Sequence, residues 1–215
     1  MNEQERAEEH LRTIRRLMER GTIYRAISAP TALVGGLLSL AASGVWMAAT
    51  RPNSEPRYNF LVLWLLVFLL TAGTNTLFII LGAKRRNEPV FSASMKAAFT
   101  ALAPPFLVAA ILTLLFEVAA SDPLNEATLS ITWTICYGLG LLATSHFAPR
   151  SLALLGWAFL VSGLGAVLVV RFASDFFIRL LDAQNTILFM AATFGIYHLI
   201  YAVCAWPRAG AAQEP

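Results

Sequence analysis

Charge is scarce in this sequence. Charged residues make up 13% of the 215 residues and apolar residues 57%, whereas a soluble domain usually carries about 25% charge. The mean hydropathy is +0.63, and such a composition excludes a disordered chain. Two cysteines are too few for a disulfide scaffold. The formal net charge of +3 comes from 13 acidic against 16 basic residues without a basic stripe, which excludes a nucleic-acid partner.

Long uncharged stretches are what the sequence has instead. About 20 apolar residues in a helix cross the hydrocarbon core of a bilayer, and a spanning segment must satisfy its own backbone hydrogen bonds. Six uncharged stretches reach that length: Ala26–Thr50, Tyr58–Ala83, Ala97–Phe116, Ala127–Pro149, Ser151–Val170 and Ala183–Pro207. The sequence therefore predicts an all-α fold, a polytopic bundle of six transmembrane helices over residues 26–207.

The basic residues predict how these spans are threaded. Segments between consecutive spans must lie on alternating sides of the membrane, and twelve of the 16 Lys and Arg residues then fall on one side. Cytoplasmic loops carry the excess of Lys and Arg. We therefore expect a multi-pass protein of the plasma membrane with its N- and C-termini in the cytoplasm. The basic run Lys84, Arg85 and Arg86 is the strongest anchor on that side.

Residues 1–25, before the first span, indicate a cytoplasmic amphipathic helix. Leu11, Ile14, Leu17 and Met18 recur at three- and four-residue spacing, which gives one apolar stripe. Such a helix either lies on the inner leaflet with its arginines near anionic lipid or pairs with another helix of this protein or of a partner. The candidate contacts with lipid or with a partner are Arg12, Arg15, Arg16, Arg20, Lys84, Arg85 and Arg86.

Two further pieces are expected outside the bilayer core. Arg171–Asp182 joins the fifth and sixth spans as a second amphipathic segment on the outer side, where an interfacial helix is the simple interpretation. Residues 208–215 form a short polar tail, which we expect to be disordered.

Few polar groups fall inside the spans. No Lys, Arg, Asp or Glu lies at the centre of a span, which disfavours a transporter that couples ions through a buried carboxylate. Asn75 either contacts a solute or, as we favour, bonds a neighbouring helix. A Pro pair in the third span removes two amide donors and should kink the helix. The candidate polar interior consists of Asn75, Pro104, Pro105 and His198.

His198 lies past the middle of the sixth span, where no Lys, Arg, Asp or Glu occurs. One interpretation is a haem or metal pair with His146; the other, which we favour because the two depths differ, is a neutral histidine bonded to a neighbouring helix. A membrane Ser, Ser162, invites comparison with rhomboid proteases, but Leu160 stands where that family has glycine. Walker, Rossmann and zinc-spacing motifs are absent from the sequence. We therefore assign no catalytic residue, cofactor or metal ligand and expect a protein that is not an enzyme.

Small and aromatic residues indicate how the spans pack. A stripe of small residues at four-residue spacing in the first span predicts close helix approach; it consists of Thr31, Gly35, Ser39 and Ser43. Trp46 lies near a span end, where the headgroup region favours it, whereas Trp64 and Trp133 lie deeper and are expected to pack. Cys136 and Cys204 differ in depth, so a disulfide between them is not expected.

The opening of the chain resembles a known group. Residues 11–20, Leu-Arg-Thr-Ile-Arg-Arg-Leu-Met-Glu-Arg, and residues 24–28, Tyr-Arg-Ala-Ile-Ser, are similar to the start of small uncharacterised bacterial multi-span membrane proteins. The resemblance brings no activity with it. It implies a bacterial inner-membrane setting.

Two functions from different classes fit these observations. The first is a non-catalytic sensor, assembly partner or regulatory membrane subunit, with the bilayer around it and either a second copy or a cytoplasmic protein bound through residues 1–25. The alternative is a transport subunit, because the layout of six spans with two amphipathic helices is similar to permease subunits of ABC-2-type exporters. That alternative implies a separate ATPase docked on Lys84–Lys96 and the leading helix.

Overall fold

In a computed structural model of the protein, the described residues are 6, 8–11, 29–49, 59–86, 93–118, 125–145, 148–172 and 183–206. These residues are helical apart from short turns, and they include no strand, which confirms the all-α expectation for this part of the chain. The helices are α1 (Ala29–Ala49), α2 (Phe60–Arg86), α3 (Ala93–Val118), α4 (Asn125–Ala143), α5 (Arg150–Phe172), α6 (Ala183–Met190) and α7 (Tyr197–Ala205). A π-helical turn, Ala191–Ile196, joins α6 to α7.

Five segments of the described chain are long and apolar enough to cross a membrane, as expected for a multi-pass membrane protein. They are Ala29–Ala49, Phe60–Arg85, Met95–Phe116, Arg150–Phe172 and Asn185–Ala205. The remaining predicted span, Ala127–Pro149, corresponds to α4, a 19-residue helix that is not among the five. Its first half carries four hydroxyl side chains, which lower its hydropathy: Thr128, Ser130, Thr132 and Thr134.

The predicted leading helix is described only in part. Residues 8–11 are helical, and the side chain of Leu11 is exposed. The rest of the apolar stripe lies outside the described residues, as do Arg12, Arg15, Arg16 and Arg20. Residues 173–182, most of the second amphipathic segment, and residues 207–215 lie outside them too.

The helices pack around α1 and α4. Helix α1 contacts α2 and the helix made by α6, the π turn and α7, while α4 contacts α3, α5 and α6. Helices α2 and α3 therefore lie at the edges of the described bundle. They approach each other at Phe68 and Phe106, whose ring centroids are 6.1 Å apart.

Glycines bring the central helices close together. A Cβ on Gly138 of α4 would lie 2.8 Å from the backbone nitrogen of Leu160 and 2.9 Å from the carbonyl oxygen of Gly156, both in α5. A Cβ on Gly36 of α1 would lie 3.0 Å from the carbonyl oxygen of Gly195 in the π turn. These crossings leave no room for a side chain, because backbone atoms, unlike side-chain ends, cannot move aside.

Two apolar clusters hold the bundle. One surrounds Phe159 and Tyr201, and both residues are buried. The other lies near the opposite ends of the helices, and we call it the tryptophan cluster; it consists of Trp46, Phe60, Trp64, Ile187 and Met190. Trp133 and Phe194 pack against the tryptophan cluster and are half-buried.

Candidate functional site

Asn75 bonds a neighbouring helix. The hydroxyl of Thr31 in α1 donates to the side-chain oxygen of Asn75 in α2 at 3.1 Å. Beside Asn75, the hydroxyls of Thr74 and Thr76 donate to carbonyls one turn earlier in the same helix. The polar side chains of Thr74, Asn75 and Thr76 are thus hydrogen-bonded within the protein, which is how polar groups in membrane helices commonly act.

The side chain of Thr71, one turn before Asn75 in α2, is placed differently. A Cβ built on Gly35 would lie 2.9 Å from its methyl group, so Thr71 packs closely against α1. Its hydroxyl oxygen is buried and has no hydrogen-bond partner among the described residues. The pair Gly35 and Thr71 shows why a small residue is needed at that position of α1.

The proline pair does not interrupt its helix. Helix α3 continues as α-helix from Ala93 to Val118 through Pro104 and Pro105. Pro104 is exposed and Pro105 is half-buried. Phe106, the next residue, contacts Tyr137 of α4, with ring centroids 6.4 Å apart. The prolines therefore lie on an edge helix, and the side chain that follows them contacts the centre.

His198 is bound through both ring nitrogens. Its Nε2 is 2.8 Å from the hydroxyl oxygen of Tyr137 in α4, and its Nδ1 is 3.0 Å from the carbonyl oxygen of Phe194 in the π turn. A carbonyl only accepts, so Nδ1–H donates to it, and the tyrosine hydroxyl donates to Nε2. This assignment describes a neutral imidazole with neither nitrogen free for a metal or haem iron. His146 lies outside the described residues.

Aromatic rings enclose the imidazole of His198. The ring centroids of Tyr137 and Phe159 lie 5.4 and 5.5 Å from that of His198, and Phe194 stacks on it at 6.3 Å with an interplanar angle of 17°. Phe194 also contacts Trp64 of the tryptophan cluster at 6.3 Å. The π turn, a feature that often occurs at functional positions, thus carries the ring that connects the two clusters.

Only two of the four residues of the expected polar interior have hydrogen-bond partners shown in other described helices. Asn75 bonds α1 and His198 bonds α4, whereas Pro104 and Pro105 lie on the edge helix α3. The basic candidates Lys84 and Arg85 are exposed near the end of α2, where Arg86 is the last helical residue. The described part of the chain has no group of three or more metal-ligating side chains, and Cys136 and Cys204 are both free.

Several important residues were missed by the sequence analysis. Tyr137 is 61 positions from His198, and no local pattern marks it as the partner. Ser162 pairs with Tyr197, whose hydroxyl oxygen is 2.8 Å from its own, and not with His198 as in a protease dyad. Trp46 is 1% exposed, so it is buried in the tryptophan cluster where the sequence suggested a headgroup position. The position of Trp46 near a span end was visible in the sequence, but its burial was not.

Comparison with known proteins gives no assignment. No family model, curated protein or solved structure matches this chain. Its function must therefore be argued from the contacts just described.

Proposed function

We propose that this chain is a six-span protein of the bacterial inner membrane that acts as a non-catalytic sensor, assembly or regulatory subunit. The observation that carries the proposal is that several polar side chains of the described bundle bond one another across helices. These pairs are Thr31 with Asn75, Tyr137 with His198, Ser162 with Tyr197, and Trp133 with Thr113 at 2.8 Å. Groups used in this way stabilise a fixed arrangement of helices and are not free to bind a transported ion.

The sixth span in this proposal is α4. Leu139 is the only exposed residue between 126 and 143, a range that the structure describes completely. Ser130 and Thr134 are fully buried, and their hydroxyls donate to the carbonyls of Glu126 and Ser130. A helix surrounded by other helices need not be apolar, because lipid does not contact it. Low hydropathy is therefore compatible with α4 crossing at the centre of the bundle.

Cysteine labelling tests whether α4 crosses. In a Cys204→Ser background, single substitutions at exposed helix ends would be Asn59→Cys, Lys84→Cys and Arg150→Cys. We expect an impermeant maleimide added outside intact cells to label position 59 and to reach positions 84 and 150 only after permeabilisation. Labelling of position 150 from outside, with position 84 still protected, would establish five spans instead.

The proposed role requires a partner or a second copy bound through the cytoplasmic segment. We expect mild-detergent purification to give a stable oligomer or complex that is lost when residues 1–25 are removed. Removal of residues 208–215 is the matched control and should leave the complex intact. A monomer unchanged by the first truncation would contradict the proposal. Copurification of a nucleotide-binding ATPase, weakened by Lys84→Ala and Arg85→Ala, would replace it with the exporter alternative.

A further inference from the structure

Two buried indole N–H groups in the tryptophan cluster have no acceptor among the described residues. Trp46 is 1% exposed and Trp64 is 5% exposed, and within the part of the chain that the structure describes neither Nε1 has a hydrogen-bond partner. Buried indole groups usually find one. Trp133 shows the ordinary arrangement at the same place: its ring stacks on Phe60 with centroids 6.0 Å apart, and its Nε1 donates to the hydroxyl of Thr113 at 2.8 Å. The cluster thus has two unused donors.

The side chains of the cluster determine which ligand could accept hydrogen bonds from these two indole N–H groups. Its members are aromatic or aliphatic, apart from the thioether of Met190, which is a weak acceptor. A water molecule could accept from an indole, but its own two protons would then need acceptors that the cluster side chains do not supply. A charged ligand would find no opposite charge among the cluster side chains. The complementary ligand is apolar and carries oxygen atoms that accept without donating, as carbonyl oxygens do.

The depth of the cluster suits such a ligand. Trp46 lies three residues before the end of α1, Phe60 is the first residue of α2, and Ile187 lies in the second turn of α6. At ~1.5 Å per residue, these side chains are within about two turns of the helix ends. That is the boundary between the headgroups and the hydrocarbon core, where lipid ester carbonyls and the heads of membrane quinones can reside.

The path from the surrounding lipid to the tryptophan cluster is short. Leu63, Val67 and Trp133 form a half-buried rim around the cluster, and Val62 on the same turn of α2 is exposed. The Phe60 ring stands edge-on to Trp46, with centroids 5.7 Å apart and an interplanar angle of 90°. The same ring stacks on Trp133, so the buried Phe60 lies between Trp46 and the half-buried Trp133.

We propose that the tryptophan cluster is a binding site for a membrane-soluble molecule with carbonyl oxygens, either the ester group of a glycerolipid or the ring of a quinone, held by the indole N–H groups of Trp46 and Trp64. This site goes beyond the proposed sensor or assembly role and does not depend on it. It requires only that the helices fold in a membrane as described.

Native mass spectrometry of the full chain, released from detergent, tests the site. The probes are a diester phosphatidylglycerol, its diether counterpart with the same chains but no carbonyls, and decylubiquinone. We expect tighter binding of the diester than of the diether, or binding of the quinone. Trp46→Phe with Trp64→Phe keeps two aromatic rings and removes both donors, and it should weaken binding of the retained probe by about tenfold or more, because each lost hydrogen bond changes affinity several-fold.

Matched variants separate the two donors from general loss of aromatic surface. Trp157→Phe alters an exposed ring on α5 and should leave binding unchanged. Phe60→Ala keeps both donors, removes the ring between Trp46 and Trp133 to make room for a ligand, and should strengthen binding. If the double variant does not fold, the single variants and the diester–diether comparison on the unaltered chain decide the question.

The outcomes distinguish the two sources of the carbonyl. Preference for the diester alone identifies a glycerolipid, and retention of decylubiquinone alone identifies a quinone. Equal binding of diester and diether together with no retained quinone would overturn the proposal, as would full binding by the double variant. Neither result would alter the oligomer and truncation experiments, so failure of this site is distinct from failure of the proposed function.

Discussion

The hydroxyl of Tyr137 and Nε2 of His198 lie 2.8 Å apart and join the middle of α4 to the start of α7. The second nitrogen of His198 is bonded to the carbonyl of Phe194 in the π turn. One imidazole therefore connects α4, which is 61 positions away in sequence, with α7 and the preceding π turn. Because protein groups bond both nitrogens, a neutral histidine can lie within a span.

The first prediction concerns the stability supplied by this pair. Tyr137→Phe keeps the ring but leaves Nε2 of His198 without a donor. We expect the free energy of unfolding to fall by about 1 kcal/mol, measured by SDS titration in mixed micelles with far-UV circular dichroism. Trp157→Phe, on the outside of α5, is the control and should change little. Equal stability of Tyr137→Phe and the unaltered chain would mean that the bond does not form in the membrane protein.

The second prediction concerns haem. Since both nitrogens of His198 are bonded to protein groups, the purified chain should be colourless, and His198→Ala should leave its visible absorption spectrum unchanged. The measurement is made after expression with added haem precursor. A Soret band that disappears in His198→Ala would show that Tyr137 yields its place to iron.

The sequence predicted the helices well because length without charge is a local property. Five of the six uncharged stretches appear as apolar helices, and α4 forms even though its hydroxyl residues lower its hydropathy. The partner of His198 could not be predicted, because only packing brings Tyr137 close to it. The π turn was likewise missed, since no pattern in Ala191–Ile196 marks the change from α-helix. Residues 12–28 lie outside the described residues, so the amphipathic helix expected before the first span and the contacts of its four candidate arginines remain predictions.

Helix crossings give the third prediction, with a matched pair of glycines. A Cβ on Gly138 would meet backbone atoms of Leu160 and Gly156 at 2.8 and 2.9 Å, whereas one on Gly165 would meet nothing within 4 Å. Gly138→Ala should destabilise the bundle by about 1–3 kcal/mol through overpacking. Gly165→Ala should be neutral or stabilise it by up to about 1 kcal/mol, because alanine is the better helix former. SDS titration of the two variants compares them, and equal effects would contradict the close α4–α5 crossing.

A double-mutant cycle on Thr31 and Asn75 gives the fourth prediction. The variants are Thr31→Val, Asn75→Leu and the two together. We expect a coupling free energy of about 0.6 kcal/mol and at most about 1.7 kcal/mol, the average and the maximum for hydrogen bonds between membrane helices. The same cycle with Thr31→Val and Asn59→Leu, which pairs Thr31 with an exposed residue outside α2, should give no coupling. Additive effects at Thr31 and Asn75 would show that the amide faces something other than α1.

Trp46 and Trp133 give the fifth prediction, through their response to ligand. Trp133→Phe removes an indole that donates to Thr113, whereas Trp46→Phe removes one that has no acceptor among the described residues. Trp46 is 1% exposed and Trp133 is half-buried, so the two substitutions leave different cavities, and each variant is compared with itself in the presence and absence of ligand. In SDS titrations, the diester lipid or quinone that the site retains should stabilise the unaltered chain and Trp133→Phe more than Trp46→Phe, because only Trp46→Phe has lost a donor to the ligand. Equal stabilisation of all three proteins would show that the Trp46 N–H does not hold the ligand.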